Sequence, residues 1–255
     1  MHDGLGKILM NTVYNILLQR RAQGKKSLAV LVDPDKTAHL AELLHHAKNS
    51  PPDFFFVGGS LLSEGNLAPC IRQLKSIPGV PVVLFPGSAM QVCADADALL
   101  LLSVISGRNP DLLIGRHVLA APMLKQSGLE LIPTGYILVE SGAATTVSYI
   151  TNTQPVPRDK NPIAACTAMA GEQLGLKLIY LEAGSGAQQP VPVSMVEAVR
   201  RSVSVPVITG GGLRTAAEIG ERFDAGADLI VTGNILEQSP GLLPEFCAAA
   251  HATST

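Results

Sequence analysis

Three kinds of residue in this chain stand where chemistry is commonly done, each just past a short apolar run. Asp33 follows Leu28-Ala29-Val30-Leu31-Val32, and Ser60 closes Gly58-Gly59-Ser60 after Phe54-Phe55-Phe56-Val57. A carboxylate beside a hydroxyl is too few ligands for a protein-made Zn²⁺ or Ca²⁺ cage. It suits Mg²⁺, which keeps waters and takes phosphate oxygens as its remaining ligands. The same Asp33-Pro34-Asp35-Lys36 also reads as a helix N-terminal turn, where Asp before Pro is ordinary, and residue types alone leave both readings open. Glu182 ends the run Leu178-Ile179-Tyr180-Leu181, where it could accept a proton from a substrate hydroxyl; the alternative is a buried carboxylate held by a salt bridge. Glycines form the third group: Glu182-Ala183-Gly184-Ser185-Gly186, Gly210-Gly211-Gly212 and Gly233-Asn234. Such loops let the backbone approach a ligand and aim several N–H groups at one oxygen cluster, as a phosphate requires. One glycine pair would read as a tight turn; three consecutive loops point to phosphate.

These residues need elements that bring them together. Apolar runs followed by helical stripes recur eight times, with strands expected at Leu28 to Val32, Phe54 to Val57, Val80 to Phe85 and Ala98 to Ser103. The remaining four are Leu131 to Val139, Leu178 to Leu181, Val205 to Thr209 and Leu229 to Thr232. Runs apolar on both faces belong to buried parallel strands. Eight strand-helix units in 255 residues favour an α/β fold, one (β/α)8 TIM-type barrel domain over residues 1–255 with its phosphate site at the C-terminal face. Leu5, Ile8, Leu9, Val13, Ile16 and Leu17 predict an opening amphipathic helix. Ser194-x-x-Glu197 and Thr215-x-x-Glu218 predict two capping boxes. Thr151 to Pro162, rich in Pro, Asn and Thr, is a long loop that could act as a lid.

Composition removes other classes. Nineteen Lys and Arg against 21 Asp and Glu, scattered along the chain, leave no electrostatic footprint for nucleic acid. No apolar run is long enough to span a membrane and no signal peptide opens the chain, so a cytoplasmic protein without a transmembrane segment is expected. Cys70, Cys93, Cys166 and Cys247 lack metal-ligand spacing and read as small apolar residues in a reducing compartment. His39, His45, His46 and His117 match no metal motif and read as helix-surface residues. Lys36 lies beyond a turn and Lys177 before a strand, so a Schiff-base aldolase has little support.

The ordered set Leu31-Val32-Asp33-Pro34-Asp35-Lys36, Val57-Gly58-Gly59-Ser60, Tyr180 through Gly186, Gly210-Gly211-Gly212 and Thr232-Gly233-Asn234 resembles the geranylgeranylglyceryl phosphate synthase family. Ser103-Val104-Ile105-Ser106-Gly107-Arg108-Asn109-Pro110 is similar to that family's stretch after strand four, and the resemblance runs from Lys25 to Glu237. It implies a Mg²⁺-dependent prenyltransferase that joins the 3-hydroxyl of sn-glycerol 1-phosphate to a prenyl diphosphate such as geranylgeranyl diphosphate, releasing diphosphate. It further implies that Asp33 and Ser60, the latter a Thr in many members, hold Mg²⁺. Tyr180, Leu181, Glu182, Ala183, Gly184, Ser185, Gly186, Gly211, Gly212, Gly233 and Asn234 would bind the glycerol phosphate, with Glu182 and Tyr180 catalytic.

A long prenyl tail needs an apolar groove, part of which Leu112 to Met123, Phe85-Pro86 and Ile137 could line, and the same residues read equally well as ordinary core. Members of the family form homodimers or homohexamers, and the Ala-rich segment Ile163 to Leu174 could close either a core or a subunit contact. Competing readings are a heptaprenyl donor, a sugar-phosphate isomerase or lyase using Asp33 and Glu182, and a non-catalytic phosphate-binding barrel.

Overall fold

The structure is a computed structural model and describes residues 12–63, 66–88 and 91–252. Its strands are β1 (Ser27–Val32), β2 (Phe54–Val57), β3 (Val82–Leu84), β4 (Ala98–Val104), β5 (Glu130–Leu138), β6 (Leu178–Glu182), β7 (Val207–Gly210) and β8 (Leu229–Thr232). All pairs are parallel, and β8 returns to β1 to close the barrel. Strand β3 is shorter than expected at its start, because Pro81 has no N–H to give the ladder, although its carbonyl still accepts from Phe55. Strands β6 and β7 each run one residue further than expected, and Glu182 pairs with Gly210. The candidate base is therefore held by the ladder rather than by a loop.

Side chains alternate across each strand, and the alternation sorts them into two cores. Ala29, Phe56, Leu100, Tyr136, Tyr180 and Val231 fill the barrel interior. Val30, Phe55, Ile137, Ile179, Leu181 and Ile230 pack outward against the helices. Helix α1 (Val13–Ala22) adds Val13 and Leu17 to the interior cluster, and Glu130 accepts from the Val13 and Tyr14 N–H groups at its first turn. The part of this helix expected from Leu5 to Asn11 lies outside the described residues. Around α1 the strand-start end is tied by ion pairs: Arg20 on Asp53 at 2.6 Å, and Arg21 and Arg200 on Asp228 at 3.3 and 3.2 Å. That end is committed to stability, which leaves the opposite rim for function.

The outer layer comprises α2 (Leu40–Asn49), α3 (Leu67–Leu74), α4 (Arg116–Ser127), α5 (Thr146–Thr151), α6 (Asn161–Gln173), α7 (Val193–Ser202), α8 (Ala216–Asp224), α9 (Asn234–Gln238) and α10 (Leu243–Ala252), with a π-helical turn Asp111–Gly115 leading into α4. The Thr215 and Glu218 capping box is present at α8. The Ser194 box is not: α7 starts two residues earlier than that box requires, with Pro192 at its cap, which places Ser194 inside the first turn.

The expected lid is likewise a pinned segment. Thr151 ends α5, Val156 bridges to Val139, and Arg158 donates to the carbonyls of Glu140 at 3.0 Å and Pro190 at 2.9 Å. In α6, Ala164 and Ala168 are core while Ile163 is exposed. Cys70 and Cys247 are buried, with thiols pushed up by burial to about 11 and about 12, whereas Cys166 is exposed and does not behave as a core residue. No described helix is long and apolar enough to cross a membrane.

Candidate functional site

A cavity of about 770 Å³ opens at the strand-end rim, bounded by the residues that follow the apolar runs. One end is built from glycine loops. Gly184, Gly211 and Gly212 have φ of +100°, +82° and +73°, a region an L side chain rarely adopts. Space forbids a side chain there as well: a Cβ on Gly212 would stand 2.8 Å from the Pro190 nitrogen, and one on Gly184 would meet Thr145 at 2.6 Å. Arg214 braces these loops by donating to the carbonyls of Ala187 and Gln188 at 3.1 and 3.2 Å. Asn234 and Ser185 join loops six and eight at 3.3 Å. Gly186 and Gly233 complete this wall. Two residues of the expected set are elsewhere: Leu181 and Ala183 belong to the core between barrel and helices, because alternation turns them away from the side that Tyr180 and Glu182 face.

Glu182 sits at the floor of this end and is only 5% exposed. Its Oε1 accepts the Gly184 N–H at 2.6 Å, and no cation pairs with it among the described residues, so it is not the salt-bridged structural carboxylate of the alternative reading. Burial raises its pKa, opposed by the Gly184 N–H and by the nearby Tyr180 hydroxyl. Burial and the Glu182 charge push the Tyr136 and Tyr180 phenols far up, so both stay protonated. Phe85 stacks on Tyr180 at 5.3 Å between ring centres, and Tyr136 packs on both. The Tyr180 hydroxyl and the Thr232 hydroxyl are buried in the cavity wall without a hydrogen bond of ordinary geometry. Buried orphans of this kind are satisfied by water or a ligand.

Across the mouth, Asp33 and Ser60 line the same cavity, from β1 and β2. Gly59 packs against the Asp33 carboxylate; a Cβ on it would lie 3.2 Å from Oδ1. The Asp35 N–H donates to that Oδ1 at 3.1 Å, while the Asp35 carboxylate accepts from Ser63 and ties the first two loops together. Lys36 Nζ lies 3.1 Å from Asp33 Oδ2 and 3.6 Å from Glu237 Oε2. Glu237 is half-buried, which raises its pKa against the pull of Lys36. The described residues hold no group of three or more His, Cys, Asp or Glu able to cage a metal. A carboxylate and a hydroxyl that line one open cavity fit Mg²⁺ that draws its other ligands from substrate and water.

The third region is apolar. Phe85, Pro86, Leu100, Leu112, Ala120 and Leu124 line an arm of the cavity between β4 and α4. The expected groove is corrected in two respects. Ile137 is fully buried against the helices, and Ile114, Val118 and Leu119 point outward, more than half exposed. His117 is not a surface residue: it lines the arm, 3.3 Å from the Ser103 hydroxyl.

Sequence reasoning missed Tyr136, Glu237 and His117. The β5 alternation could have placed Tyr136 inside, since Tyr136 pairs directly with Tyr180 in the ladder. Glu237 and His117 sit on helices that only the closed barrel folds over the mouth, and they carry no local signal.

A profile described as PcrB family matches residues 21–250. The chain is 52% identical over 246 residues to a protein of Chitinophaga pinensis named geranylgeranylglyceryl phosphate synthase, covering 96% of this chain and 98% of that one. It is 41% identical to the protein of that name in Pyrococcus abyssi, over 86% of this chain and 87% of the other. Among solved structures it is similar to (S)-3-O-geranylgeranylglyceryl phosphate synthase from Thermoplasma acidophilum in complex with its substrate sn-glycerol-1-phosphate. That match has a TM-score of 0.88 and 30% identity, covering 95% of this chain and 100% of that chain.

Proposed function

Because this chain belongs to the PcrB family, we propose that it joins sn-glycerol 1-phosphate to geranylgeranyl diphosphate through an ether bond, releasing diphosphate. The observation that carries the reading is one cavity with two unlike ends, glycine loops at one and an apolar arm at the other, with a buried carboxylate between them. The relatives' names supply the geranylgeranyl group, and the substrate bound in the Thermoplasma structure supplies the acceptor.

In this reading the N–H groups of the Gly184, Gly211, Gly212 and Gly233 loops hold the acceptor phosphate, with Ser185, Gly186 and Asn234 completing the wall. That anchor brings the far hydroxyl to Glu182, and fixing the two reactants this way supplies much of the rate. The allylic C–O bond breaks with its electron pair leaving on the diphosphate. The acceptor oxygen attacks the allylic carbon, and Glu182 takes its proton. Tyr180 and Tyr136, protonated and fixed by Phe85, present phenol O–H groups at the floor of the site and shield the allylic cation from water. Asp33 and Ser60 would hold Mg²⁺, which when bound stabilises the charge growing on the leaving diphosphate.

The apolar residues left outside on the π-helical turn and α4, Ile114, Val118 and Leu119, support contact with a second copy in a homodimer or homohexamer. Unpaired cysteines support a reducing, cytoplasmic setting. The test is turnover of purified protein with sn-glycerol 1-phosphate and a series of prenyl diphosphates, with Mg²⁺ present or chelated. Mg²⁺-dependent ether product, fastest with the C20 donor, is the expected result; absence of lipid product with every donor would overturn it.

A further inference from the structure

The reaction as described gives Lys36 no task, although it is the cation of the acidic side of the cavity. Its ammonium is shared by two carboxylates far apart in the chain that barrel closure brings together, Asp33 at the end of β1 and Glu237 on α9. Asp33 is thereby satisfied from within its own turn: Oδ1 by the Asp35 N–H and Oδ2 by Lys36 three residues on. A free divalent cation would have to shed water and displace an ammonium that is covalently tethered beside its ligand, and so present at high effective concentration. A cation that carries a diphosphate meets a different balance. The diphosphate offers the ammonium new oxygens, and the long, half-exposed Lys36 side chain can swing to reach them within the same cavity.

We propose that Lys36 is a tethered counter-ion that keeps Asp33 closed to free divalent cations, and that it transfers to the donor's diphosphate when Asp33 binds the cation accompanying it. Metal and donor therefore enter as one complex, and in the resting site Asp33 stays paired without a bound ion. Glu237 serves as the second anchor that holds Lys36 over Asp33 while the site is empty of substrate. The inference rests on the prenyl diphosphate reading above, but its test needs no turnover.

The experiment is calorimetric titration of the whole protein, first with Mn²⁺ alone and then with inorganic pyrophosphate under saturating Mg²⁺. Removing one positive charge a few ångströms from the ligand should tighten binding of free Mn²⁺ by on the order of tenfold in Lys36→Met. The same variant should bind pyrophosphate roughly tenfold more weakly, having lost one charge-assisted contact. Lys36→Arg, which keeps the charge, should hold free Mn²⁺ affinity near that of the unaltered protein. Unchanged or weaker Mn²⁺ binding in Lys36→Met, or two affinities that fall together as a disturbed loop would make them, would overturn the proposal. A protein that makes no ether product would instead remove the prenyl-transfer reading and leave these titrations standing.

Discussion

Glu182 has to be charged to act as a base, yet burial raises its pKa. The acid limb of kcat/KM should accordingly lie above the ordinary carboxylate range, with activity lost as pH falls through it. Glu182→Gln should lower kcat by ~10²–10⁴-fold, the usual contribution of a positioned base. Stability should move the other way. The native state binds the Glu182 proton more tightly than the unfolded chain does, so folding loses stability as pH rises between the unfolded and folded pKa values. Thermal melts should therefore show Glu182→Gln more stable than the unaltered protein at neutral pH, with the difference closing in acid. Glu182 was legible in the sequence because a carboxylate that ends an apolar strand has few roles. Leu181 and Ala183 turn their side chains to the helices, a distinction that a motif carried over as a continuous run does not make, because strand alternation lets only every second side chain face the cavity. Glu237 and Lys36 meet through tertiary closure across 201 positions, which no local pattern encodes.

Backbone geometry at the element scale sets what the glycine loops tolerate. Gly211 has φ +82° and packs against both Glu182 and the Gly184 N–H, so Gly211→Ala should cost about 1–3 kcal/mol in stability and raise KM for sn-glycerol 1-phosphate. Denaturant melts and initial rates check both parts. Helix starts give a sharper contrast. Thr215→Ala removes a real capping box and should cost about 1 kcal/mol, whereas Ser194→Ala, inside its helix, should stay within about 0.5 kcal/mol. The same tetrapeptide pattern occurs at both places, and Pro192 decides the second by taking the cap position itself. The segment expected as a lid failed for a related reason. Its composition suggests a loop, but the bonds from Arg158 to Glu140 and Pro190 are long-range and hold it down.

For the whole molecule, barrel closure turns eight strand ends into one rim and places a wall of glycine loops and an apolar arm in one cavity. Strand count and fold class were readable because the runs are short, apolar and regularly spaced. The arm was only partly readable, since Leu112 to Met123 is apolar on both faces of its helix and periodicity does not say which face meets β4. Ala120 is on the inner face. Ala120→Phe should fill the arm and shift preference to shorter prenyl donors, with the affinity for sn-glycerol 1-phosphate unchanged in the same assay. The arrangement of the two ends is tested most directly by a crystal structure of this protein with sn-glycerol 1-phosphate bound. The phosphate is expected on the N–H groups of the Gly184, Gly211 and Gly233 loops, with the 3-hydroxyl turned to Glu182. A phosphate seated instead beside Asp33 and Lys36, with the hydroxyl away from Glu182, would contradict it.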